Sequence, residues 1–172
     1  TASYLCKNNN IQKIKRVIFP HSLGILYQSL TQFLGFKNYG DEYKVMGLAS
    51  YGKPTFLEKM SNVVTFDKKK LFKLNLDFFR HHKEGIEMSW IEGTPNINNV
   101  FSNNFIETFG KERLENEKIT NRHMDIAASA QKLYEIILFK ILKNLYDKNQ
   151  SDNLCLSGGC AMNSVANGKI LQ

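Results

Sequence analysis

The stretch LCLSGGCAMNSVANGKI, Leu154 to Ile170, runs from a short apolar segment through two adjacent glycines to an asparagine and a set of helix-forming residues. It reads as a strand that ends in Gly158-Gly159 and turns into a helix starting near Asn163. A junction of this kind puts backbone amides at the carboxyl edge of a sheet. Glycine has no Cβ, so a ligand can lie directly on the backbone. A helix start adds N–H donors and a partial positive charge, which suit a phosphate. Asn163 falls about one turn in, able to donate and to accept hydrogen bonds. The same pattern also serves as a tight packing turn. It is neither a G-K-[ST] phosphate loop nor G-x-G-x-x-G, because Cys160 and Asn163 break the latter.

Upstream of the glycines, MDIAASAQKLYEIILFKILKNLYDKNQ (Met124–Gln150) carries Ile126, Ala130, Leu133, Ile137, Ile141 and Leu145 as one stripe, widened by Tyr134 and Leu138. Those gaps of three and four predict a helix of roughly 20 residues, with Asp125 as N-cap and a sheet to pack against. Strand, helix, strand, helix is the order of an α/β domain.

Nearer the start, QKIKRVIF (Gln12–Phe19) reads as a strand closed by Pro20. In HSLGILYQSLTQFLGF, Leu23, Leu26, Tyr27, Leu30, Phe33 and Leu34 make an amphipathic helix, begun by His21 or Ser22 and ended by Gly35. A turn, a short helix from about Asp41 to Ala49 and a loop to Pro54 follow. VVTFDKKK and LFKLNLDF, with Phe72, Leu74, Leu76 and Phe78 alternating against polar residues, predict a hairpin. From His81 to Thr120 the chain turns polar and irregular, with a short helix at about Asn103–Phe109. Residues 63–120 therefore read as a hairpin plus a loop-rich insertion.

Composition bounds the function. Of the 172 residues, 42% are hydrophobic and 12% aromatic, enough for a packed core. No apolar run approaches the ~18 residues of a membrane span, so no membrane partner is expected. The 23 basic residues against 16 acidic ones give +7. The lysines are scattered, with one compact run at Lys68-Lys69-Lys70 and no aromatic platform, so nucleic acid is not expected as a partner. A basic cleft for a phosphorylated small molecule suits the charge equally. Three cysteines, Cys6, Cys155 and Cys160, are an odd number, which points to reduced thiols and a cytoplasmic location. The adjacent pair His81-His82 and the lone His123 do not have metal-ligand spacing.

FPHSLGILYQSLTQFLGFKNYGDEYKVMGLASYGKP (Phe19–Pro54), DIAASAQKLYE (Asp125–Glu135) and the opening stretch, in this order, resemble the N-terminal domain of the O-carbamoyltransferases, which modify antibiotics and nodulation factors. The string GDEYKVMGLA-x-YGKP is the most distinctive part. The resemblance implies part of an actin-like ATPase (ribonuclease H-like) domain. It also implies an enzyme that uses ATP and carbamoyl phosphate to form carbamoyl-adenylate and passes the carbamoyl group to a hydroxyl of a small acceptor. Gly158, Gly159 and Asn163 match the family's GG-x-x-x-N nucleotide contacts. Gly24 and Gly35 resemble the adenosine-side segment of related synthases, in which an acidic residue occupies the position nearest His21. Asp41, Glu42 and Lys44 are expected either to touch substrate or to brace the loop as an ion-paired set. The family's divalent metal (iron, magnesium or similar) uses an H-x-x-x-H pair and aspartates. No such pair occurs here, so the resemblance places the metal ligands, and the C-terminal carbamoyl phosphate domain, outside this segment. The segment is thus expected to be a central piece of the enzyme, inactive alone. A degenerate nucleotide-binding or scaffold domain is the alternative.

Overall fold

The computed structural model describes residues 1–67 and 71–170; the Lys68–Lys70 run lies outside the described residues. The element order is β1 (Ala2–Lys7), β2 (Asn10–Arg16), α1 (Leu23–Phe33), α2 (Glu42–Ala49), α3 (Leu57–Met60), β3 (Val64–Asp67), β4 (Leu71–Leu74), α4 (His81–Glu84), β5 (Met88–Ile91), β6 (Thr94–Ile97), α5 (Asn103–Phe109), α6 (Asn121–Asn149) and α7 (Ser164–Asn167). Short 3-10 turns stand at Leu76–Phe78 and Gly159–Met162. The fold is mixed α/β. Its described strands pair only as three antiparallel two-stranded hairpins, β1–β2, β3–β4 and β5–β6.

The centre is α6. Its buried stripe of Ile126, Ala127, Ala130, Leu133, Tyr134, Ile137 and Ile141 receives α1, α2, α3 and β4. Leu145 and Leu142, the continuation of the stripe, are only half-buried, so the last two turns stand clear of the core. The helix runs for 29 residues and starts earlier than Asp125. Thr120 is its N-cap, and the Thr120 N–H donates to His123 Nδ1 at 3.1 Å, so histidine takes the part usually played by Glu or Gln in a capping box. Asp125 instead reaches outward. Its carboxylate accepts the Lys53 N–H at 2.8 Å and the Thr55 hydroxyl at 3.2 Å.

A second focus is aromatic. Phe33 of α1 meets Phe101, Phe105 and Phe109 at centroid separations of 5.5–6.2 Å, and Phe78 and Phe79 close on Phe105. This cluster anchors the otherwise polar segment 81–120, with help from Arg113, which is 5% exposed. Its guanidinium donates to the carbonyls of Leu34 (2.6 Å), Leu114, Glu115, Glu117 and Gly35.

Three local expectations are corrected. The N-terminal strand spans Asn10–Arg16, not Gln12–Phe19, and it pairs with β1, whose few apolar residues carry no clear alternation. The segment 81–97 also holds α4 and the hairpin β5–β6, both without a sequence signal strong enough to mark them. Leu154–Ser157 forms no strand: it is largely exposed coil. A strand exists only by pairing its amides, and none of the described strands lies beside it.

A candidate ligand-binding turn beside helix α6

Gly158 and Gly159 are both exposed. Gly158 has φ +94°, which an L side chain rarely adopts, so it makes the turn possible. A Cβ placed on either glycine would meet nothing within 4 Å. The pair is therefore not packed against a neighbouring element, and its backbone faces open space.

The residues just beyond are anchored. Cys160 is half-buried and its sulfur stands 3.6 Å from the place of a Cβ on Gly24, so the start of α1 abuts the turn. Burial raises the Cys160 thiol pKa; the N-terminal amine opposes this and Glu42 adds to it. The Tyr134 hydroxyl donates to the Cys160 carbonyl. Asn167 Nδ2 donates to the Ala161 carbonyl at 2.7 Å.

Asn163 is 5% exposed. Its Oδ1 accepts from the Ala166 N–H at 2.9 Å, capping α7, and from Gln131 Nε2 at 3.0 Å. Its Nδ2 donates to Gln131 Oε1 at 2.9 Å. Gln131 in turn accepts the Tyr27 hydroxyl at 2.9 Å and donates to Glu135, whose carboxylate pairs with Lys169 Nζ at 2.7 Å. Burial raises the Tyr27 and Tyr134 pKa values, so both hydroxyls stay protonated. The expected helix after Asn163 is one turn, Ser164–Asn167, so a macrodipole summed over many aligned peptides is not available there.

The other residues singled out by sequence are dispersed. Gly24 lies at the turn, and Glu42, in α2, adds to the raised pKa values of Cys160 and Tyr27 after burial. Gly35 is at the far end of α1, about 16 Å along an 11-residue helix. There it has φ +78° and packs under Arg113. His21 Nδ1 accepts the Leu74 N–H at 3.2 Å, joining the entry of α1 to β4. Ser22, not His21, caps α1 through the Ile25 N–H. Asp41 is 7% exposed and pairs with Lys44 at 2.7 Å while accepting the Asn38 N–H. Among the described residues no three His, Cys, Asp or Glu side chains converge as a metal site, and no helix is long and apolar enough to cross a membrane.

Sequence reasoning missed Gln131 and Tyr27 as members of this site. Both sit inside helical stripes, where a Gln or Tyr on the core face of an otherwise apolar pattern is the one available signal of a buried partner.

Comparison with known proteins agrees with the motifs. Residues 1–172 match the family described as carbamoyltransferase N-terminus. The uncharacterized protein sll1178 of Synechocystis sp. is 34% identical over all of this chain, covering 26% of that protein. Nodulation protein NolO of Bradyrhizobium diazoefficiens is 32% identical over 90% of the chain and 24% of its own length. Nodulation protein NolNO of Sinorhizobium fredii is 30% identical over 90% of the chain and 20% of its own length. The chain thus spans about a quarter of the length of the curated relatives it matches. Its full length matches one family, and the chain belongs to the carbamoyltransferase N-terminus family.

Proposed function

We propose that this chain is the nucleotide-binding part of an O-carbamoyltransferase of the actin-like ATPase superfamily. The observation that carries the reading is the family match over residues 1–172, which includes an open glycine turn at Gly158-Gly159. In this reading the enzyme consumes ATP and carbamoyl phosphate. Water cleaves carbamoyl phosphate to carbamate and inorganic phosphate. The carbamate oxygen attacks the α-phosphorus of ATP and displaces pyrophosphate, and an acceptor hydroxyl then takes the carbamoyl group, losing its proton, and releases AMP. This chain's share is to offer the exposed backbone of Gly158 and Gly159 to the nucleotide and to hold that backbone still through Tyr134, Gln131 and Asn163. A divalent metal bound outside these residues would neutralise phosphate charge.

The acceptor is a small molecule with a free hydroxyl. Residues 96–112, together with Gln32 and Lys37, line a cleft of about 390 Å³ that includes Asn96, Asn98 and Glu112. Its amides and opposite charges suit hydroxyl groups, and variable segments on a fixed scaffold commonly carry specificity.

The test is an assay of the full-length protein for AMP and phosphate release with ATP, carbamoyl phosphate and a divalent metal each omitted in turn. All three omissions are expected to abolish turnover. Phosphate release from carbamoyl phosphate that supports transfer without ATP overturns the adenylate route.

A further inference from the structure

We propose that the exposed face of α2 around Gly47 is a packing surface for a segment of the same polypeptide outside these 172 residues, and that a glycine stands there to let the backbone of that segment come close. The proposal does not rest on the nucleotide reading.

A glycine has two common structural reasons to be one: a positive φ, or a neighbour crowding the place of its Cβ. Gly35, Gly40, Gly85, Gly93, Gly110 and Gly158 have the first, and Gly24, Gly52 and Gly168 have atoms within 4 Å of a Cβ position. Among the described residues only Gly47 and Gly159 have neither. Gly159 belongs to the exposed turn already described. Gly47 stands inside α2 (Glu42–Ala49), where glycine is less stable than alanine. It does not stop the helix either. A stop glycine follows the last helical residue with positive φ, whereas Leu48 and Ala49 continue α2 beyond Gly47.

The surroundings of Gly47 are aromatic and open. Tyr43, four residues before it, is 62% exposed, and Tyr51, four residues after it, is 78% exposed. The Tyr51 N–H bonds to the Leu48 carbonyl at 3.1 Å, so the chain keeps its helical course that far. Residues four apart are neighbours along a helix, and the two tyrosines thus bracket a strip of bare backbone. Val45 is fully buried and lies about 160° round the helix from Gly47, so the strip looks away from the core.

Size decides what covers the strip. An eight-residue helix is about 12 Å long and about 10 Å across, so its outer face offers on the order of 100 Å². A stable complex of two proteins needs about 800 Å² from each, which is too much for a second copy or a separate protein to find here. A segment of the same chain needs less, because its tether holds it at high effective concentration. Relatives have the length to supply one: this chain covers 26% of sll1178 and 24% of NolO.

Two measurements on the purified full-length protein test this. The first is acetylation of tyrosines by N-acetylimidazole, read by peptide mass spectrometry on native and on denatured protein. Tyr43 and Tyr51 are expected to react roughly tenfold more slowly in the native protein, at every protein concentration and without ATP. The second is the melting temperature of Gly47→Ala and Gly47→Leu. A methyl group on a free helix face raises stability, so a covered strip reverses the sign. Gly47→Ala is expected to lower the melting temperature by about 2 °C or more. Gly47→Leu is expected to lower it further and to restore the labelling of Tyr43. If Gly47→Leu does not fold, Gly47→Ala and the labelling of the unmodified protein decide.

Full labelling of both tyrosines in the native protein overturns the proposal, and so does an unchanged or raised melting temperature in Gly47→Ala. Protection that appears only as protein concentration rises would give the strip to a second copy. Protection that appears only when ATP is added would give it to the nucleotide. Either result overturns the proposal as well.

Discussion

Gly52 lies flat against the first turns of α6, so close to Met124 that a Cβ on the glycine would occupy the place of the Met124 carbonyl. The neighbouring residues finish the joint. The Lys53 N–H and Thr55 hydroxyl bind the Asp125 carboxylate, and the Phe56 N–H donates to Ser129 Oγ at 3.0 Å. The YGKP part of the most distinctive string in the chain is therefore a docking strap for α6. Gly52→Ala is expected to force the strap off the helix and to cost about 1–3 kcal/mol. Thermal unfolding checks it, and an unchanged melting temperature would show that the joint yields without cost.

The two glycines of the turn are expected to separate by phenotype. Gly158→Ala meets a strained φ and should cost roughly 1 kcal/mol of stability. Gly159→Ala should leave the melting temperature within error, because its Cβ enters open space. Gly159→Val should weaken ATP binding by at least tenfold, about 1.4 kcal/mol. Melting temperature and ATP affinity measured on all three variants decide the matter. Normal ATP affinity in Gly159→Val would remove the turn from the nucleotide site.

Arg113 is buried with carbonyls, not carboxylates, around its guanidinium, and it lies 5.0 Å from the Phe36 ring centroid. It satisfies the carbonyls of Leu34 and Gly35 at the end of α1, which carry the negative end of the helix dipole. Arg113→Met is expected to cost about 3 kcal/mol by orphaning these groups. Arg113→Lys should recover only part of that, since an ammonium has three donors and no planar fork. Chemical denaturation of the three proteins measures the difference.

Stability should fall as pH drops below about 6.5. Burial lowers the His123 pKa, Arg122 and Arg113 lower it further, and Glu117 opposes them. Burial likewise lowers that of His81, with His82 adding to the effect and the bond to the Pro20 carbonyl opposing it. Above 6.5 both rings are neutral in the folded and unfolded chain. As pH falls through 6.5 the unfolded chain takes up protons that the folded chain refuses, so stability declines until the folded pKa values are reached and then levels off. His123→Gln keeps an acceptor for the Thr120 N–H without titrating. It should flatten part of the slope in melting temperature between pH 7 and 5; an unchanged slope would show that His123 does not contribute.

What the sequence by itself determined were the features written as local periodicity or as a residue type only one conformation tolerates. The three- and four-residue gaps placed α1 and the core stretch of α6, the resemblance supplied the family, and Gly35 and the Gly158-Gly159 pair marked a helix end and a turn. Tertiary structure decided where polar groups found partners. Asp125 looks like an N-cap until the strap residues Lys53 and Thr55 claim its carboxylate, and Thr120 with His123 starts the helix instead. Tyr27 counts only as a member of the α1 stripe, and Gln131 as a polar residue in α6, until the fold joins them to each other and Gln131 to Asn163, 32 residues beyond it. Leu154–Ser157 has the composition of a strand, but a strand is defined by its neighbour, and none of the described strands stands beside it. Hydrophobic period is a property of one segment, whereas hydrogen-bond satisfaction is a property of two brought together, and only the folded chain states which two.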